Sequence, residues 1–375
     1  MDFGLAAAIL VLGGIVLFHE FGHFLAARLF GVGVVEFSVG FGPRLLSHVS
    51  KKSGTRYSLK LFPLGGSCAM MGELEDEETE AGEERLENTG AAGKDTAGEL
   101  LGASFLEQSP IARFCIIAAG PVFNFILAYV LAVVILSWAG YDAPVLVGTT
   151  EGQPAQEAGM AAGDVITAIE GRSIHFSRDI QLYNLTGDGS PMEVAYKRYE
   201  EASGRWEERS TVLTPIEISG QHYFGFQLAG YRQPVESVPR LFLYGVYEVQ
   251  FWIRSVIDSL KLMATGRVSG DDIAGPVRIV TIIDETVEQN LSYGFVTVIM
   301  NLFNLTVMFS ANLGVMNLIP IPALDGGRLL FILIEMIFRR PVNRKIENAM
   351  ILTGMALLMT FMAVVLWNDI RFLLP

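Results

Sequence analysis

His19, Glu20 and His23 stand together in the run His19-Glu20-Phe21-Gly22-His23, a spacing suited to metal chemistry. Residues i and i+4 of a helix share one face, so both imidazoles can reach one zinc ion at about 2.0–2.1 Å, with Glu20 beside its open position. Zinc lowers the pKa of bound water to about 7, and a neighbouring carboxylate can accept the proton. These are the residue types that peptide hydrolysis requires. Catalytic zinc usually keeps three protein ligands, so a third must come from elsewhere in the chain. Asp325 is the best candidate. It is an acid in an apolar stretch, Asn317-Leu318-Ile319-Pro320-Ile321-Pro322-Ala323-Leu324-Asp325-Gly326-Gly327, behind two prolines that break a helix and free backbone groups. The same aspartate also suits the N-cap of a helix beginning at the membrane edge.

The elements that must hold these groups are membrane spans. The chain has 375 residues, 51% of them hydrophobic, and a mean hydropathy of +0.41, high for a soluble protein of this length. Four apolar segments approach or exceed the roughly 20 residues needed to cross a bilayer. They lie within residues 1–30, 111–138, 295–338 and 349–367. The third is too long for one straight crossing, so it must break, re-enter or begin outside the hydrocarbon. A cleaved signal peptide fits the first poorly, because Asp2 is the only charge before His19 and the apolar run continues past it. Histidines and a glutamate in such a span are costly to bury and are functional by default; a structural polar cluster or a proton relay is the alternative.

The net charge of −13 is local in origin. Between Glu73 and Glu107 stand 12 acidic residues against Arg85 and Lys94. Such a stretch cannot bury enough apolar surface to offset its ordering entropy, so residues 73–110 are expected to form a mobile acidic insertion. No basic face for nucleic acid is evident. Cys68 and Cys115 lack metal-ligand spacing and are expected to be unpaired thiols.

Residues 339–348 form a loop containing Arg339, Arg340, Arg344 and Lys345, which the positive-inside rule places in the cytoplasm. Four spans then put residues 31–110 on the same side, in agreement with Arg28, Arg44, Lys51, Lys52, Arg56 and Lys60. Both termini, including the tail 368–375, and the segment 141–294 would lie outside. Residues 31–72 alternate Val, Phe and Tyr among glycine turns and predict a membrane-associated β-hairpin whose edge can accept an extended peptide. Residues 141–216 carry short β-type runs around Pro154-Ala155, Gly159 and Gly163-Asp164, an order that resembles PDZ domains of bacterial proteases. Residues 217–294 are expected to be a linker with an amphipathic helix at the outer interface. The fold expected is thus a polytopic α-helical membrane protein of four transmembrane helices, with a membrane-associated β-hairpin and one extracytoplasmic PDZ-like α+β domain.

His19-Glu20-Phe21-Gly22-His23 in the first span, Ala119-Gly120-Pro121-Val122-Phe123-Asn124 in the second and Asn317 to Gly327 in the third resemble, in that order, the site-2 protease family. The likeness is to its bacterial regulator of sigma-E protease branch, and covers nearly the whole chain. It includes Phe62-Pro63-Leu64-Gly65-Gly66 in the hairpin and Ala274-Gly275-Pro276-Val277 before the third span. The resemblance implies a zinc endopeptidase of the bacterial cytoplasmic membrane, acting on single-span membrane proteins such as anti-sigma factors, or on remnant signal peptides. It implies Asp325 as third ligand, Asn317 and Pro320 as substrate-holding residues, and Asn124 as a residue that positions substrate or stabilises the oxyanion. Several members carry two PDZ domains where one is visible here, and the acidic insertion has no expected counterpart. A membrane metal transporter or a non-catalytic PDZ scaffold are the competing classes. The first would want a polar path and further membrane-embedded acids; the second has no need of the histidine pair.

Overall fold

The computed structural model describes residues 3–73, 101–218, 221–266 and 274–373. Most of the expected acidic insertion, residues 74–100, lies outside them. The chain divides into two compact units, one of residues 1–128 and 270–375, the other of residues 129–269.

The first unit is built on helix α1 (Phe3–Leu29). Its mainly apolar sequence, broken only by the His19-Glu20-Phe21-Gly22-His23 run before Arg28, suits a bilayer, where a helix satisfies its backbone internally. Helix α2 (Pro110–Ala139) is equally apolar. Four helices among the described residues are long and apolar enough to cross a membrane: Phe3–Leu29, Pro110–Ala139, Phe295–Leu318 and Lys345–Arg371.

Between α1 and α2 lie β1 (Val34–Val49), rich in valine and phenylalanine, and β2 (Arg56–Met70). Each strand bends so far that Phe37, Ser38 and Val39 are partnered by Cys68, Ser67 and Gly66 on one side and by Tyr57, Ser58 and Leu59 on the other. Gly40 makes the bend possible. Its φ is +85°, and a Cβ there would lie 2.5 Å from the Phe62 carbonyl oxygen. Glu36 locks the sheet through hydrogen bonds from Arg44 at 2.8 Å and Ser58 at 2.6 Å. Burial pushes the Glu36 carboxyl up, but Arg44, Ser58 and Lys60 outweigh it and hold the pKa down to about 2.

The expected long third segment is broken. Helix α7 (Phe295–Leu318) stops before Pro320, and α8 (Asp325–Phe338) restarts after it. Helix α9 (Arg344–Leu373) completes the unit. A further helix, α6 (Pro276–Leu291), occupies part of the segment expected to be linker. Its hydrophobic positions alternate with Asp284, Glu285 and Glu288, which conceals it in the sequence. In the structure Ile283 and Val287 are buried, Ile283 in a cluster with Ala8, Val11 and Ile15 of α1. Asp369 of α9, fully buried, accepts hydrogen bonds from the backbone N–H groups of Gly275, Val277 and Arg278 and so caps α6. Asp369→Ala is expected to destabilise the protein by about 1–2 kcal/mol, read as a lower thermal midpoint in detergent, with Asp369→Asn intermediate.

The second unit holds β3 (Leu146–Thr149), α3 (Pro154–Glu157), β4 (Val165–Ile169), β5 (Arg172–Ser173) and α4 (Ser177–Thr186). It continues through β6 (Met192–Glu200), β7 (Arg205–Leu213), β8 (Ile216–Ile218), β9 (Gln221–Tyr223), β10 (Phe226–Leu228) and α5 (Val238–Ala264). The main sheet runs β5-β4-β6-β7, and β10 pairs with β3. The boundary expected at residue 216 therefore falls short. Phe224 belongs to the same buried cluster as Leu146, Ile166 and Leu213, so this core is incomplete without residues 221–228. Helix α5 is fixed by an ion pair between Glu248 and Arg178, whose guanidinium also lies over the Phe251 ring.

Candidate metal centre

Two apolar clusters grip α1 on either side of the histidines. One gathers Ala8, Val11 and Ile15; the other gathers Ala26 and Ala27 with Ile116 and Ile117 of α2 and Leu329 and Ile332 of α8. The segment from His19 to His23 is thereby fixed between two packed ends, with both histidines only 6% exposed.

The break between α7 and α8 delivers the third donor. Ala323 adopts a φ of +82°, unusual for a residue with a Cβ, and the turn is closed by Leu324 N–H donating to the Ile321 carbonyl at 3.1 Å. Gly327 leaves room for it, since a Cβ there would lie 2.5 Å from the Ile321 oxygen. Leu324, with no side-chain cap, is the N-cap of α8, and Asp325 is its first helical residue. This answers the alternative reading of Asp325: the carboxylate does not cap the helix and turns to the histidines instead.

Asp325 Oδ2 lies 3.1 Å from His19 Nε2 and 3.3 Å from His23 Nε2, and the two imidazole Nε2 atoms are 3.2 Å apart. One ligand atom from each residue falls within 4.8 Å of the others, the single such cluster among the described residues. Asp325 Oδ2 is buried without a hydrogen-bond donor. An orphaned carboxylate oxygen facing two imidazole nitrogens is the donor set that zinc takes in catalytic sites, three protein ligands with a position left over. The residues present therefore fit the metal.

Outer groups orient this set. His23 Nδ1 lies 2.9 Å from the Ile116 carbonyl, to which it donates, leaving Nε2 free for a metal. Glu20 is not one of the three donors; its side chain lies against β2, where a Cβ added at Gly66 would be 3.5 Å from Glu20 Cγ. The strand thus holds the candidate base beside the histidines. Asn317 Nδ2 is 3.4 Å from His19 Nε2, on the metal-facing edge of the ring. Asn124, fully buried, sits at the other nitrogen of the same ring, its Nδ2 3.1 Å from His19 Nδ1. Pro320 is exposed in the break between the helices.

Three groups at the site escape reading from sequence. A Cβ on Gly120 would collide with His23 Nε2 and lie 2.7 Å from His19 Cε1, and one on Gly22 would lie 2.5 Å from the Ala119 carbonyl. These glycines let α2 close onto the imidazoles. Arg328, one turn beyond Asp325, forms an ion pair with Glu73, while Arg113 of α2 binds Glu335 of α8 at 2.6 Å. The glycines stand inside the motifs quoted above; the two ion pairs join residues far apart in sequence and leave no local signal.

A model of peptidase family M50 matches residues 7–361. The regulator of sigma-W protease RasP of Bacillus subtilis is 32% identical over 430 residues, covering 97% of this chain and 97% of the relative. The zinc metalloprotease RasP of Geobacillus kaustophilus is 32% identical over 423 residues, covering 97% of this chain and 96% of the relative. Among solved structures, the PDZ domain of an SdrC-like protein from Listeria monocytogenes matches 24% of this chain and 90% of its own, at 26% identity and a TM-score of 0.20. With the family match spanning nearly its whole length, the chain belongs to peptidase family M50, the site-2 proteases, and is a zinc metalloprotease.

Proposed function

We propose that this protein is an intramembrane endopeptidase that cuts single-span membrane proteins, with anti-sigma factors as the favoured substrate class and remnant signal peptides as a further one. The observation that carries this reading is the convergence of His19, His23 and Asp325, with Glu20 beside them, on helices apolar enough to lie in a bilayer. The name of the Bacillus subtilis relative, a regulator of sigma-W protease, supports a substrate that controls a sigma factor.

His19, His23 and Asp325 would hold the zinc. When bound, the metal supplies Lewis-acid polarisation of the scissile carbonyl and acidifies water at the site. Glu20 accepts the proton of the attacking water and returns it to the leaving amine. Asn317, on the metal-facing edge of His19, hydrogen-bonds the substrate near the reacting carbonyl. The chain around Pro320 presents unpaired backbone groups to an unwound substrate, and the outer edge of β2 near Cys68 adds it as a strand. Unwinding is needed because helical hydrogen bonds and packing shield the peptide bond.

In this reading the basic loop after α8 and the hairpin face the cytoplasm, and the termini lie outside. The unit of residues 129–269 is a single PDZ-like extracytoplasmic module suited to act as a substrate filter. A transporter would need further acids along a path, and the described residues contain one metal-competent cluster.

The test is metal content. Purified protein is expected to hold one equivalent of zinc, and Asp325→Ala to weaken it by more than the roughly 10–100-fold that follows loss of an outer-shell partner. Zinc absent from the wild type, or bound equally by Asp325→Ala, rejects the site.

A further inference from the structure

The two metal-binding histidines are supported unequally. Helix α2 passes α1 in the opposite direction, so that Ile116 meets His23 and Asn124 meets His19. For His23 the partner is a main-chain carbonyl, which can only accept; Nδ1 must carry the proton and Nε2 is bare. For His19 the partner is an amide, which can present either oxygen or nitrogen by half a turn about its Cβ–Cγ bond. With nitrogen facing the ring, Nδ1 is the acceptor. The ring proton then sits on Nε2, and that tautomer cannot bind zinc through Nε2. In this orientation Asn124 Oδ1 is also buried without any donor, an arrangement that costs about 1–3 kcal/mol.

We propose that Asn124 is a positioning residue for the metal ligand His19: its side-chain oxygen accepts the Nδ1 proton and fixes the tautomer whose Nε2 holds zinc. Three observations carry the assignment. The half-turn gives the orphaned oxygen a donor 3.1 Å away, at the place the nitrogen now occupies. Asn124 is fully buried and lies at the ring nitrogen turned away from the donor cluster, whereas Asn317 lies at the metal-facing one. Ser310 of α7 donates to the Asn124 main-chain carbonyl at 2.8 Å, which leaves only the side chain to serve His19 and anchors α2 at this point. Asn124 is thereby assigned to His19, where the family resemblance implies a residue that positions substrate or stabilises the oxyanion.

This inference rests on the metal-centre reading, and zinc affinity separates the two. Full-length protein in detergent, stripped of metal, is titrated with Zn2+ in competition with a chromophoric chelator. Asn124→Leu and Asn124→Ala are expected to weaken zinc about 10–100-fold. Asn124→Asp, which keeps an acceptor and loses the donor, should bind at least as tightly as wild type. A packing role predicts the reverse order, because leucine fills the volume without a buried charge. The alanine variant serves if leucine prevents folding. Wild-type affinity in folded Asn124→Leu or Asn124→Ala, with cleavage reduced, overturns the inference and returns Asn124 to the substrate while the metal centre stands. Failure of the wild type to take up zinc overturns both.

Discussion

Glu20→Gln is expected to lower peptide hydrolysis by about 10²–10⁴-fold, the usual contribution of a general base, while stoichiometric zinc remains bound. The two halves of that result come from different parts of the structure. One ligand atom each from His19, His23 and Asp325 lies within 4.8 Å of the others, and Glu20 is not in that cluster. Its side chain lies instead against β2 at Gly66. Glutamine has the same shape and fits the same place against the strand, but its amide cannot accept a proton from water at neutral pH. A transporter or scaffold gives a different outcome: metal traffic or partner binding would persist in Glu20→Gln. If zinc were lost along with activity, Glu20 would be a ligand and the donor set wrong.

Gly120→Ala is expected to damage the centre nearly as much, through packing alone. The added methyl would overlap His23 Nε2 and crowd His19 Cε1. Either the rings turn off the metal or α2 moves away from α1, and α2 is pinned by Ser310 and by Arg113. Overpacking of this kind costs about 1–3 kcal/mol, equivalent to about 5–150-fold in zinc affinity. Gly14→Ala is the control on α1. No atom lies within 4 Å of its would-be Cβ, so zinc affinity and cleavage should stay at wild-type values.

The part of this site carried by one helix is legible in the sequence. His19 and His23 share a face because the helical repeat puts them there, and the apolar run around them marks the depth at which they work. Asp325 is partly legible: the two prolines announce a break, but only the folded turn, with Ala323 at positive φ and Leu324 at the cap, shows that the carboxylate faces the histidines. Gly22 and Gly120 stand in plain view inside their motifs, yet their importance lies in how closely α1 and α2 approach, a distance that no local pattern encodes. The same limit hid α6, whose burial depends on α1 and whose cap comes from Asp369 on α9. It also hid β10, which is too short to alternate visibly and is fixed by pairing with β3 across the whole second unit. Asn124 was visible as a polar residue in an apolar helix; which edge of His19 it serves was not.

The most direct test of the account is to reconstitute the protein with a single-span substrate in lipid vesicles and map the cut by mass spectrometry. The account predicts zinc-dependent cleavage within the substrate's apolar segment, absent with Glu20→Gln at full zinc occupancy. Cleavage confined to the exposed flanks, or cleavage that persists in Glu20→Gln, would contradict it.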